Sequence, residues 1–196
     1  MTNRSRSYKT NTLIPPHGGY RKLKSYQTAE IIYDLTVEFT KRYIKSMKLR
    51  DQMDGAARSG KQNIAEGSQV SGTSKKSEMK LVNVARGSLE ELLQDYEDFL
   101  RQRGLPVWNK TDPRALAVRQ LAYRSNRTYK TYKPFLAEPE TAANAANCLI
   151  CLIHQANFLL DQQLRSLEKE FLEQGGFTEK LYRRRENYRV RHRLGR

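Results

Sequence analysis

The sequence predicts an all-α protein: an antiparallel, up-and-down four-helix bundle with a helical insert before the last long helix and flexible basic termini. Three observations predict it. Four segments carry apolar residues at alternating steps of three and four, the connections between most of them are short and polar, and no segment sustains the alternation of a strand. A chain of 196 residues suits one such domain with appendages. The divisions expected are residues 1–24 as a flexible basic arm, 25–174 as the bundle with its insert at about 105–139, and 175–196 as a basic C-terminal tail.

The arm contains Pro15-Pro16 and Gly18-Gly19 among polar residues and has too little apolar surface to order alone. From Tyr26, with Ser25 as N-cap, the first helix places Ala29, Ile32, Leu35 or Thr36, Phe39 and Tyr43 on one stripe. The second starts near Leu49, turns Met53, Ala56, Ala57 and Ile64 inward, and ends at Gly67 in a left-handed C-cap. Ser68 to Gly72 form a turn, and Thr73 or Ser74 caps the third helix with Glu78 near its positive end. That helix has the clearest seam, Val82, Ala85, Leu89, Leu92, Tyr96 and Phe99, and Gly104 closes it. In the insert, Leu105 to Trp108 is a packed linker, Asp112-Pro113 opens a short helix, and Lys133-Pro134 breaks the chain before the last helix. The last long helix runs from about Glu140 to Gln174 on Leu149, Ile153, Ala156, Leu160, Leu164, Leu167 and Phe171, and Gly175-Gly176 stops it. Burying four stripes can leave apolar surface for subunit contacts, so homo-oligomerisation is compatible with the pattern.

Charge is concentrated at the ends. The net charge is +15, of which residues 1–25 and 175–196 supply +12, while the 149 residues between them net +3. A nearly balanced body with two cationic arms directs the search for a polyanion to the arms. The polar start Met1-Thr2-Asn3-Arg4-Ser5 lacks the apolar core of a secretory signal, and no run of ~18 apolar residues offers a membrane span. Two cysteines do not make a disulfide framework. The expected location is the cytoplasm, with no membrane partner.

Motifs for chemistry fail on their details. Cys148-Leu149-Ile150-Cys151 has redox spacing but lies inside an apolar helix, far from the cations or helix N-terminus that favour thiolate, so core packing is the expectation. His154 adds a third candidate ligand without a fourth, so no metal is expected. Di-iron bundles need Glu-x-x-His pairs, and none occurs. Glu90, Glu91, Asp95, Glu97 and Asp98 are offset from the third helix's seam and read as a solvated face. Gly67 to Lys75 departs from a phosphate loop in its lysine spacing and in lacking a preceding strand, and reads as a turn. The three scattered histidines suggest no hydrolase triad. No catalytic residues and no cofactor are expected.

The C-terminal segment is different. Lys180, Arg183, Arg184, Arg185, Arg189, Arg191 and Arg193 surround Tyr182 and Tyr188. Guanidinium forks pair bidentately with phosphate, aromatic faces stack on unpaired bases, and arginine-rich segments often order only when RNA arrives. The same segment has too few large aliphatic residues to enter a bilayer interface.

Leu49-Arg50-Asp51-Gln52, then Asn63-Ile64-Ala65-Glu66-Gly67, then Ala85-Arg86-Gly87-Ser88-Leu89-Glu90-Glu91 resemble a family signature. The family is the bacterial four-helix-bundle group first noticed in intervening sequences of large-subunit ribosomal RNA genes, which includes the accessory variability determinant of diversity-generating retroelements. The likeness covers roughly residues 26–104. Residues 105–185 further resemble the C-terminal suffix region of a subset, in Pro139 to Asn144 and Gly175 to Thr178. The resemblance implies a bundle assembled into a ring, typically a homopentamer, with a basic surface, without catalytic residues, and in the retroelement relatives serving a reverse transcriptase and binding nucleic acid. It also marks Asn63, Glu66, Gly67, Gly87 and Ser88, whose types suit capping, close approach and buried hydrogen bonds, as architecture or subunit interface. This chain departs from the pattern after Gln52, where Met53-Asp54-Gly55 replaces two basic residues, and at Arg58-Ser59-Gly60-Lys61, which replaces a more apolar run. The bundle should therefore be less basic than in relatives, leaving nucleic acid to the arms.

The expected function is a non-catalytic, oligomeric scaffold binding RNA or DNA, accessory to a reverse transcriptase or another nucleic-acid enzyme. The rival is a protein-interaction or self-assembly hub with solubilising tails, which exposed Trp108, Tyr123, Tyr129 and Tyr132 on the insert would favour.

Overall fold

The computed structural model describes residues 13–136 and 141–193, with Thr141 and Arg193 defined in the backbone alone. In chain order the α-helices are α1 Lys24–Tyr43, α2 Met47–Val70, α3 Lys75–Gln102, α4 Pro113–Leu121, the single turn α5 Tyr129–Tyr132, α6 Thr141–Gln174 and α7 Phe177–Arg193. Two 3-10 turns, Tyr20–Lys22 and Lys133–Leu136, complete the set, and no strand occurs among the described residues.

The four long helices close a ring in which α1 and α3 each pack on α2 and α6. Partner order shows that neighbours run antiparallel. Gly60 lies against Leu89 and Gly67 against Glu78 and Val82. Lys75, Arg86 and Glu90 of α3 meet Glu170, Asp161 and Asn157 of α6 in descending order. Thr40 and Tyr33 of α1 meet Asp54 and Lys61 of α2. Each stripe is buried because only the neighbouring helices can cover it: Ile32, Leu35 and Phe39, Met53 and Ile64, Leu89, Leu92 and Tyr96, and Leu149, Ile153 and Leu160 are all closed to solvent. The aromatic centre is edge-to-face, with Phe39 at 5.0 Å from Tyr96 and 4.9 Å from Phe99. The Tyr96 hydroxyl donates to Thr36 Oγ1 at 3.0 Å, which satisfies the one polar group the ring brings inside.

Caps set several boundaries. Ser46 Oγ accepts from Leu49 N, Ser74 Oγ from Ser77 N, and Asp112 Oδ1 from Arg114 N beside Pro113. Gly104 and Gly175 take φ of +63° and +68° just past α3 and α6. Two sequence expectations change here. Gly67 does not end α2, which continues to Val70; an added Cβ would lie 3.4 Å from the Glu78 carbonyl and from Leu81 Cβ, so the glycine serves helix contact instead. Ser25 lies inside α1 and donates to Gln163 Oε1 of α6 at 2.9 Å, while Leu23 occupies the cap position.

The insert forms a second layer over the outer side of α6. Trp108, Ala115, Val118, Tyr132 and Leu136 are buried with the core, and α4 packs on α6. Asn147 holds the linker, accepting from Trp108 N at 2.7 Å and donating to Pro106 O at 2.9 Å. Covered on both sides, α6 buries Cys148, Ile150, Cys151 and Leu152 in succession. This explains why an 18-residue window within Ala142–His192 is long and apolar enough to cross a membrane although 67% of it is buried in the protein. Of the insert aromatics only Tyr123 stands exposed, at 91%; Trp108 and Tyr132 are core and Tyr129 is partly buried, against the exposed set that a docking hub would present.

Candidate nucleic-acid interface

The C-terminal segment, expected as a flexible tail, is the 17-residue helix α7. Its sequence favours helix locally: Leu, Arg, Glu and Lys are good helix formers, and Glu179 in the first turn with arginines toward the end complements the macrodipole. The expectation of a flexible tail rests on the lack of an apolar face, but that lack keeps α7 off the bundle without preventing a helix. α7 has no substantial packing on the long helices among the described residues.

Seven Lys or Arg residues on α7 are opposed by Glu179 and Glu186 alone. Steps of 100° per residue distribute Arg183, Arg184, Arg185, Arg189 and Arg191 around the helix, which is ~26 Å long by its rise. All five are exposed, as are Tyr182 and Tyr188, while Lys180 is half-buried and donates to Gln174 Oε1 at 3.1 Å. The side chain of Arg193 lies outside the described residues. Arg189 forms one exposed pair with Glu186 at 3.7 Å, an interaction of small energy. Tyr188 lies 4.1 Å from His192 with the two rings tilted by 51°, and the tyrosine is 65% exposed. An arrangement of this chemistry is able to pair with phosphates and to stack on unpaired bases.

The base of α7 lies beside the N-terminal strap. Of the arm predicted at 1–24, residues 1–12 lie outside the described residues; the rest docks, with Gly18 N donating to Ser68 O at 3.0 Å, ahead of the 3-10 turn Tyr20–Lys22. A cavity of about 480 Å³ separates Leu13 and Pro16 from Leu181, Arg183 and Arg184. At the same end, Lys75 Nζ reaches Glu78 at 3.1 Å and Glu170 at 3.2 Å, tying α3 to the last turns of α6. Burial works to lower the Lys75 pKa, but its bonds to Glu78 and Glu170 outweigh burial and raise it. Burial raises the Glu78 carboxyl despite the lysine.

The residues marked by resemblance divide into two sets. Asn63 Nδ2 donates to Ser59 O at 2.9 Å and Ser59 Oγ at 3.1 Å, and Ser59 Oγ lies 3.0 Å from Ser88 Oγ, so Asn63 and Ser88 belong to one polar bridge between α2 and α3. Gly67 packs on α3, whereas Glu66 is exposed and Gly87 is exposed with open space around its Cβ direction. Of the acidic residues of α3, Glu91, Asp95 and Asp98 line one open hollow of about 560 Å³ facing α2, Glu97 is exposed, Glu90 accepts from Asn157 Nδ2 at 3.1 Å, and burial, then Asp98 and Glu91, raise the half-buried Asp95.

Cys148 and Cys151 are free and buried, and burial pushes both thiols up, Cys148 well above its ordinary value, which opposes thiolate chemistry. Among the described residues no three His, Cys, Asp or Glu side chains group to hold a metal ion.

Sequence reasoning missed the cationic loop of the insert. Arg124, Arg127 and Lys130 face Arg21 and Lys24 across a cleft beside α1. The interleaving of Tyr123, Arg124, Arg127, Tyr129 and Lys130 was its available signal.

The architecture defines an all-α helix-bundle protein with a cationic helical appendage. Residues 22–111, spanning α1 to α3, match the model of the 23S rRNA-intervening sequence protein family. The insert beyond Thr111, α6 and α7 lie outside the matched span. No curated protein and no solved structure matches the chain.

Proposed function

We propose that the protein is a non-catalytic RNA-binding scaffold in which the bundle holds α7 out to a single-stranded polyanion. The observation that carries this reading is the exposure of five arginines and two tyrosines on a helix that takes no part in the core. The description of the family that residues 22–111 match, 23S rRNA-intervening sequence protein, supports an RNA-associated role. Contacts to phosphate and open stacking faces favour any strand over a particular sequence. Homo-oligomerisation, a pentamer by family resemblance, would repeat α7 around one particle and raise affinity through effective concentration. Such a particle suits an accessory role for a reverse transcriptase or another nucleic-acid enzyme.

Removing residues 178–196 tests the reading. The shortened chain should keep its thermal transition and its number of subunits by light scattering while losing most of its affinity for a single-stranded RNA. Retained affinity with an intact bundle would exclude α7 as the binding element.

A further inference from the structure

The insert and the start of α1 enclose two adjoining hollows that share Lys24, Ala122, Tyr123 and Arg127. The larger is a cleft of about 810 Å³, lined by the cations Arg21, Lys24, Arg124, Arg127 and Lys130. None of these five forms an ion pair among the described residues. The carboxylates Glu30 and Asp34 also line it; Glu30 accepts from the Tyr26 hydroxyl at 3.2 Å, and burial, then Glu30, raise the Asp34 carboxyl against the pull of Lys61. The smaller is a pocket of about 370 Å³ walled by Cys151, Phe158 and Leu159 on α6 and by Tyr123 above. Both volumes fall within the range of small-ligand sites, ~300–1,000 Å³.

The pocket contains an unpartnered polar group. Gln155 lines it, and both its Nε2 and Oε1 are buried without a hydrogen-bond partner among the described residues. An orphaned amide beside an apolar wall carries the full cost of its desolvation, and it offers one donor and one acceptor side by side, the complement of a base edge. Arg127 is pre-set between the hollows, donating from Nη2 to Thr28 Oγ1 at 2.6 Å. Tyr123, 91% exposed at the shared rim, has a free ring face, and the backbone turns there through Asn126 at φ +59°.

We infer that this paired hollow is a nucleotide-binding site, taking a base in the pocket against Tyr123 and the Gln155 amide and its phosphate in the cleft on Arg124, Arg127 and Lys24. The ligand is either a free nucleotide or an unstacked nucleotide within a strand; the site chemistry is the same. It makes no use of α7, so it stands or falls separately from the proposal above.

Calorimetric titration of the full chain with AMP, GMP, CMP, UMP and inorganic phosphate tests it. At least one nucleotide should bind more than tenfold tighter than phosphate. Tyr123→Ala, at a position too exposed to matter for folding, should weaken that nucleotide about tenfold by loss of stacking. Gln155→Leu should level the differences among the four bases without lowering the melting temperature, and Arg184→Ala with Arg185→Ala should leave mononucleotide affinity unchanged. A short homopolymer of the preferred base that competes with the mononucleotide and is weakened by Tyr123→Ala identifies a strand as the ligand; a homopolymer that fails to compete identifies the free nucleotide. Nucleotides binding no tighter than phosphate, or binding indifferent to both Tyr123→Ala and Gln155→Leu, would overturn the assignment.

Discussion

Helices α6 and α7 are separated only by Gly175 and Gly176, yet they exist for opposite reasons. α6 is held by its surroundings: bundle on one side, insert on the other, with Leu149, Leu152, Ile153 and Leu160 closed to solvent. α7 is held by local propensity and end charges, and every described side chain from Leu181 to His192 is exposed. The first kind of helix carries stability. The second contributes almost none, so shape and the proposed polyanion binding can be altered one at a time.

The comparison breaks most visibly in amide exchange. Central α6 amides should exchange only through global opening, which costs ~5–15 kcal/mol for a domain of this kind, whereas α7 amides should exchange orders of magnitude faster through local fraying. Comparable protection by mass spectrometry would mean that α7 packs on something. Mutation sharpens the same contrast. Leu92→Ala, at a position with no solvent exposure, should lose ~2–5 kcal/mol in denaturant titration. Leu181→Ala on α7, already 37% exposed, should change stability by no more than ~0.5 kcal/mol.

The smallest effect expected lies on α3, where burial, then Asp98 and Glu91, raise the Asp95 carboxyl. A carboxyl raised in the folded state destabilises the fold once ionised, and the penalty vanishes when the pH falls below its unfolded value. Asp95→Asn should therefore raise the melting temperature at neutral pH by at most a few degrees, with the gain fading as the pH is lowered through the raised value toward 3.8. A gain that persisted below that window would assign the effect to packing.

Much of the frame is legible in the sequence because periodicity reports burial directly. The α3 seam from Val82 to Phe99 is the clearest case, and Asp112-Pro113 announces α4 through cap chemistry. Gly67 misleads because a glycine near a helix end serves equally as a C-cap or as a contact point, and only the position of α3 decides which. The α7 segment reads as a tail because composition reports the absence of a core contact, not the absence of a helix. The hollow beside the insert is illegible for a different reason. Its walls come from residues 21–34, 119–130 and 151–159, and Gln155 looks ordinary until its neighbours are placed.

The central claim is that α7 captures a strand by displacing condensed ions from its phosphates. The direct measurement is the salt dependence of single-stranded RNA affinity for the intact chain and for the variant with Arg183, Arg184 and Arg185 replaced by Ala. At about 0.7 log units per log unit of salt for each neutralised phosphate, losing three contacts should flatten the slope by about two. An identical slope in the two proteins would contradict the claim.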